Sequence, residues 1–153
     1  MLTTGFNHVA IITKDADRLL EFYGAVFGAE KSAELAGPPG EKFRLVIIDV
    51  GPYAELNVFE LPDNAEVDRQ TPSFGRGRID HLALLAESMA SFEEIRRRLI
   101  ARGAADEFVT DFGKVLSVFF RDPDGLESEV CVPNPDWVPG VVNGPGTPAA
   151  RFA

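Results

Sequence analysis

The chain contains two histidines, His8 and His81, and each begins the same short pattern of histidine, apolar residue, alanine and apolar residue. We predict that both lie on strands in two equivalent halves of the chain. Glu129 lies 48 residues after His81, and its counterpart, 49 residues after His8, is Asn57. Because side chains alternate between the faces of a strand, these four polar groups are expected at equivalent places. Two imidazoles and one carboxylate are a ligand set for a divalent transition metal.

The strand that carries Asn57 holds further candidates. Asn57 itself offers only a neutral oxygen, whereas Glu55 is the nearest acid on the same face and is the candidate for a separate catalytic base. Asn57 and Phe59 are predicted to contact a substrate, and Tyr53, near the preceding turn, is predicted at the mouth of the cleft. The alternative for each histidine is a structural place in its strand, and for Glu129 an exposed strand carboxylate.

Each histidine strand is followed by an amphipathic helix, with apolar residues at three- and four-residue spacing. Asp15 can cap the start of the first helix and Gly28 its end, and Gly103 ends the second. The strands predicted to close the two halves are 31–35, 42–50 and 55–61 in the first and 108–110, 115–121 and 126–132 in the second. Each half is therefore predicted to be β-α-β-β-β.

The predicted organisation has four parts. Residues 1–62 form the first module, 63–77 a polar linker, 78–132 the second module and 133–153 a tail rich in proline and glycine. Such a tail cannot continue a helix or a central strand. We predict that it lies across a neighbouring surface, that of a second subunit, with Trp137 as its main anchor.

Composition excludes several classes of partner. The net charge of -9 disfavours binding to nucleic acid or to an anionic membrane surface. The sequence has no apolar run near the roughly 20 residues that a membrane span needs, and no secretory signal is visible. The single cysteine, Cys131, permits no internal disulfide, which predicts a cytoplasmic location. A small-molecule substrate and a metal ion are the partners that this pattern favours.

The chain resembles the vicinal oxygen chelate superfamily, which includes glyoxalase I, extradiol dioxygenases and bleomycin-resistance proteins. The segments that carry the resemblance are 7–10, 17–28, 80–83 and 119–126 followed by Glu129. The resemblance implies an α+β fold of two tandem βαβββ modules, whose open, curled mixed sheet forms a metal-binding cleft. It also implies a divalent ion (Fe2+, Mn2+, Zn2+ or Ni2+) held by His8, His81 and Glu129, with Glu129 also able to move a proton.

The sequence departs from some members at two positions. Many members have Glu or Gln where this chain has Asn57, so the chain is more similar to members with three protein ligands. Ala10 stands where the fosfomycin-resistance branch has threonine. The predicted function is a small metal-dependent enzyme that chelates vicinal oxygens of its substrate, either a glyoxalase-like lyase or isomerase or a dioxygenase of the Fe(II) or Mn(II) type. The alternative is a non-catalytic, bleomycin-resistance-like binding module. The resemblance also implies a homodimer.

Overall fold

The computed structural model describes residues 2–3, 5–69, 71, 75 and 79–152. The chain divides into two compact units, Met1–Gln70 and Thr71–Ala153. Each unit holds one helix and one four-stranded sheet. None of the helices among the described residues is long and apolar enough to span a membrane.

The first unit contains five main elements. They are β1 (His8–Thr13), α1 (Ala16–Phe27), β2 (Glu30–Ala36), β3 (Arg44–Gly51) and β4 (Ala54–Glu60). The sheet order is β1-β4-β3-β2, with β1 parallel to β4 and the other neighbours antiparallel. A short 3-10 helix, Ala65–Asp68, follows in the segment predicted as a linker.

Helix α1 has the boundaries that its sequence predicts. The side chain of Asp15 accepts a hydrogen bond from the backbone N–H of Arg18, and Gly28 ends the helix with a φ of 72°. The apolar stripe of the helix is buried against the inner face of the sheet. The buried residues are Ala16, Leu19, Phe22, Tyr23 and Val26 from the helix and Val46, Ile48, Leu56 and Val58 from the strands. His8 lies on the opposite face of the sheet, away from α1.

The second unit repeats the first. Its elements are β5 (Leu82–Leu85), α2 (Met89–Ala101), β6 (Thr110–Asp111), β7 (Val115–Arg121) and β8 (Glu127–Pro133). The sheet order β5-β8-β7-β6 and the parallel pairing of β5 with β8 match the first unit. The predicted α+β fold of two βαβββ modules is confirmed. His81 lies just before β5 rather than within it, because the pairing with β8 begins at Leu82.

The C-terminal segment after β8 packs on its own unit. Pro148 forms an antiparallel β-bridge with Thr110, although proline has no N–H to donate. The hydrogen bonds of this bridge come from the neighbouring residues, because the N–H of Asp111 donates to the carbonyl of Thr147 and the N–H of Ala149 donates to the carbonyl of Val109. Phe152 then stacks edge-on against Phe92 of α2, with ring centroids 5.9 Å apart.

The contact of Trp137 with a second subunit stays a prediction. Trp137 is 36% exposed and its indole N–H donates to the carbonyl of Val141, within the segment itself, whereas Ala149 is 3% exposed. The guanidinium of Arg96 also lies 5.5 Å from the ring centroid of Phe152, a cation–π contact. The surface that the segment covers is that of its own unit.

Replacing Gly113 by alanine is expected to lower the free energy of unfolding by about 2–4 kcal/mol. Gly113 has a φ of 88°, and a Cβ there would collide with the carbonyl oxygen of Val141. Gly140 has the same φ of 88° with open space around it, so Gly140→Ala is the matched control and should cost only about 1–2 kcal/mol. Urea unfolding measures both, and equal losses would contradict the close approach of the C-terminal segment.

Candidate functional site

The second unit brings together two of the residues that the sequence predicts as metal ligands. Glu129 of β8 pairs with Ala83 of β5 on one side and Phe119 of β7 on the other. His81 lies two residues before Ala83, and its Nε2 is 3.2 Å from Oε2 of Glu129. The strand alternation expected from the sequence thus places an imidazole and a carboxylate side by side on the face away from α2.

Glu129 is held from two directions. It is 7% exposed, and a carboxylate this buried needs partners. The buried hydroxyl of Ser117 on β7 donates to Oε1, while Oε2 faces His81. The two carboxylate oxygens therefore have different partners, which fixes the orientation of the side chain.

The ring of His81 is held on its other side by Asp80. Nδ1 of His81 lies 2.8 Å from Oδ2 of Asp80, and both side chains are half-buried. Histidines that bind metals commonly donate their second ring N–H to such an oxygen. Sequence reasoning did not assign a role to Asp80 or Ser117. For Asp80 a signal existed, since the residue before each histidine is polar and short, Asn7 in the first repeat and Asp80 in the second.

The chemistry of these donors fits a divalent ion. A separation of 3.2 Å between Nε2 and Oε2 is that of two neighbouring ligands which share one ion at about 2.0–2.2 Å. The hydrogen bonds to Asp80 and Ser117 use the other two atoms, Nδ1 of His81 and Oε1 of Glu129. Within the described part of the chain, no group of three or more His, Cys, Asp or Glu side chains is gathered closely enough to hold a metal ion.

Aromatic and sulfur groups surround this pair. The ring of Phe119 stands edge-on to His81 at a centroid distance of 6.0 Å, and Phe112 stands at 6.4 Å from Phe119. Cys131 follows Glu129 on the same face, and burial, followed by the negative charge of Glu129, raises the pKa of its thiol to about 12. At such a pKa the thiol is neutral near pH 7, and a neutral thiol is a poor nucleophile.

The first unit places its predicted residues on the corresponding face. His8 is exposed and lies in register with Glu55, while Asn57 and Phe59 follow on the same side of β4. Nδ1 of His8 lies 2.8 Å from Oδ1 of Asn7, as Nδ1 of His81 does from Asp80. The side-chain oxygen of Asn57 is buried and has no hydrogen-bond partner among the described residues.

Tyr53 and Glu55 share one cavity of the first unit. It has a volume of about 360 Å³, and Asn7 also lines it. Tyr53 lies in the turn between β3 and β4 and is 83% exposed. Asn57 and Phe59 are not part of this lining, and Phe59 instead lies near Phe43, with ring centroids 5.9 Å apart.

A larger cavity, of about 580 Å³, lies in the second unit. Residues 103–106, after α2, form one side of it, and Phe119, Phe120, Arg121 and Glu127 form the other. Arg121 and Glu127 form an ion pair there, in which Nη2 of the guanidinium lies 2.6 Å from Oε1 of the carboxylate. Phe119 lines this cavity and also contacts His81, but neither His81 nor Glu129 is part of the lining.

Comparison with known proteins gives consistent matches. The sequence matches the model of the Glyoxalase/Bleomycin resistance protein/Dioxygenase superfamily over residues 5–130. A lactoylglutathione lyase of Arabidopsis thaliana is 28% identical over 130 residues, which are 85% of this chain. The chain spans 44% of the length of that relative.

Among the solved structures that match the fold are a glyoxylase-family domain and a fosfomycin resistance protein. The glyoxylase/bleomycin resistance protein/dioxygenase domain from Frankia sp. EAN1pec is 20% identical, with a TM-score of 0.68 over 88% of this chain and 95% of that one. A variant of a fosfomycin resistance protein from Listeria monocytogenes, in complex with Mn(II) and 1S,2S-dihydroxypropylphosphonic acid, is 18% identical, with a TM-score of 0.63 over 84% of this chain and 92% of that one. At these identities the two structures establish the fold.

Proposed function

Because the chain belongs to the Glyoxalase/Bleomycin resistance protein/Dioxygenase superfamily, we propose that it is a small enzyme that uses a divalent metal ion to act on a small-molecule substrate. The observation that carries the proposal is the 3.2 Å separation of His81 Nε2 and Glu129 Oε2, each with its other polar atom already bonded elsewhere. The ion is Fe2+, Mn2+, Zn2+ or Ni2+, the metals that accept imidazole together with carboxylate.

His8 is the proposed third ligand. It occupies the same place in the first repeat as His81 does in the second, and both rings contact the preceding residue through Nδ1. That contact leaves Nε2 of each ring for a metal. The assignment of His8 is supported by the repeat and by the family, and it is tested below by substitution.

Each proposed residue has a defined task. When bound, the ion would act as a Lewis acid toward two adjacent oxygens of the substrate. His81 and Glu129 are the proposed donors to the ion, Phe119 stands edge-on beside His81, and Glu55 is the proposed base that takes a proton from the substrate. Asn57, Phe59 and Tyr53 are the proposed substrate contacts.

Two reaction classes fit these tasks, a lyase or isomerase reaction and a dioxygenase reaction. The Arabidopsis relative is a lactoylglutathione lyase, so lactoylglutathione is the first probe for the lyase class. A catechol with Fe(II) and oxygen is the probe for the dioxygenase class. Turnover of one probe that requires added metal would assign the class.

The decisive experiment is metal analysis of freshly purified protein together with calorimetric titration of Mn2+ and Zn2+. We expect about one ion per chain for the wild type, and a loss of binding of roughly 100-fold in His81→Ala and in His8→Ala. Arg121→Gln, which changes a neighbouring side chain on the same face, should bind as the wild type does. Unchanged affinity in His81→Ala would refute the metal site. A wild type that binds small molecules but no metal would identify the non-catalytic binding module instead.

The proposal also includes a homodimer and a cytoplasmic location. Both come from the sequence: the dimer from the family resemblance and the location from the single cysteine, Cys131. Sedimentation equilibrium at micromolar concentration measures the oligomeric state, and a monomeric protein would refute the proposed homodimer.

A further inference from the structure

We propose that Asp80 is a positioning residue, which fixes the neutral ring of His81 in the tautomer with hydrogen on Nδ1, and that Asn7 fixes His8 only partly. This inference rests on the proposed metal site, since it concerns how that site is prepared for the ion. It predicts that His8 and His81 differ in the position of the ring hydrogen before any metal is added.

The argument begins with the acceptors around His81. Both ring nitrogens face a carboxylate oxygen: Nδ1 lies 2.8 Å from Asp80, and Nε2 lies 3.2 Å from Glu129. A neutral imidazole has one N–H, so it can donate to only one of them. A carboxylate offers no hydrogen in return, so the nitrogen without hydrogen faces an oxygen lone pair.

The distances decide which nitrogen keeps the hydrogen. A separation of 2.8 Å is typical of a strong hydrogen bond to a charged acceptor, whereas 3.2 Å is at the long end of the range. Glu129 also receives a hydrogen bond from Ser117, which lowers its need for a second donor. The hydrogen therefore stays on Nδ1, and Nε2 presents its lone pair beside Glu129. One cation can then bind both Nε2 of His81 and Oε2 of Glu129.

The first repeat has a different acceptor. Nδ1 of His8 lies at the same 2.8 Å from the side chain of Asn7, but an amide can turn to present either its oxygen or its NH2 group. Asn7 can therefore accept from Nδ1–H or donate to a bare Nδ1. His8 and Asn7 are also both exposed, so water competes for the same ring. The chemistry fixes the tautomer of His81 and leaves that of His8 mixed.

The test is 15N NMR of histidine-labelled, metal-free protein at pH 9, where an imidazole is ordinarily neutral. In the wild type we expect His81 as one tautomer with hydrogen on Nδ1, and His8 as a mixture. Asp80→Ala should move the hydrogen of His81 to Nε2, toward Glu129. Asn7→Asp should convert His8 to the Nδ1–H tautomer. Asp136→Asn, which removes an exposed charge elsewhere in the second unit, should change neither ring.

A second measurement separates this inference from the proposed function. Calorimetric titration of Zn2+ should show a loss of roughly 10- to 100-fold in affinity for Asp80→Ala, and a smaller loss for Asp80→Asn, whose oxygen can still accept. A His81 tautomer that is the same in Asp80→Ala and in the wild type would overturn the inference. If the tautomers shift as expected but the wild type binds no Zn2+, Mn2+, Fe2+ or Ni2+, the positioning role of Asp80 is supported and the proposed function fails.

Discussion

Glutamine in place of Glu129 is expected to lower the affinity for a divalent ion by at least about 100-fold, more than the loss of an outer partner of a ligand would cost. The substitution keeps the shape of the side chain and an oxygen for Ser117, but it removes the negative charge beside Nε2 of His81. If the ion is required for catalysis, turnover at a limiting metal concentration should fall in the same proportion. Calorimetric titration of Mn2+ and Zn2+ measures the effect directly.

The matched control is Glu127→Gln. Glu127 is two residues earlier on the same face of β8, and its carboxylate pairs with Arg121 rather than with a histidine. It should bind metal as the wild type does. Equal losses in the two variants would mean that the overall charge of this face, and not coordination by Glu129, attracts the ion.

The thiol of Cys131 is expected to react with iodoacetamide about 1,000-fold more slowly at pH 8 than an ordinary thiol, because only the thiolate reacts. Its pKa is raised from 9.0 to about 12, first by burial and then by the charge of Glu129. The rate should keep rising with pH well above 9. Alkylation followed by mass spectrometry measures the profile, with urea-unfolded protein as the reference.

The same pKa has a consequence for stability. The folded state favours the neutral thiol of Cys131, so its contribution is fully present below pH 9 and is lost as pH rises toward 12. Glu129→Gln removes one cause of the shift and should lower the pKa and speed alkylation. A folded protein that is alkylated as fast as the unfolded chain would show that Cys131 is not protected.

The fold could be predicted because its signals are local and occur twice. The histidine pattern, the apolar stripe of α1 and the cap at Asp15 depend only on residues near in sequence. The helix and its cap are found where expected, His8 begins β1, and His81 lies one residue before β5. Strand alternation also placed His81 and Glu129 on one face, because the period of two leaves little choice once β5 and β8 are paired.

The hydrogen bonds around the pair could not be predicted in the same way. The contact of Ser117 with Glu129 joins residues 12 apart on neighbouring strands and depends on the pairing register of β7 and β8. The contacts of Phe152 with its own unit could not be predicted for a similar reason. They depend on Phe92 and Arg96, which α2 presents to the ring of Phe152.

The bridge between Thr110 and Pro148 also bears on aggregation. Strand β6 is only two residues long and lies at the edge of its sheet, where unpaired backbone groups invite strand addition by another chain. A chain truncated after Pro133 would expose the carbonyl of Val109 and the N–H of Asp111, which Ala149 and Thr147 now satisfy. One edge strand of the first unit, β2, carries a bulge and several charged side chains, the features by which sheet edges resist such addition. Fibrils or soluble aggregates of a truncated chain should therefore grow from β6 rather than from β2.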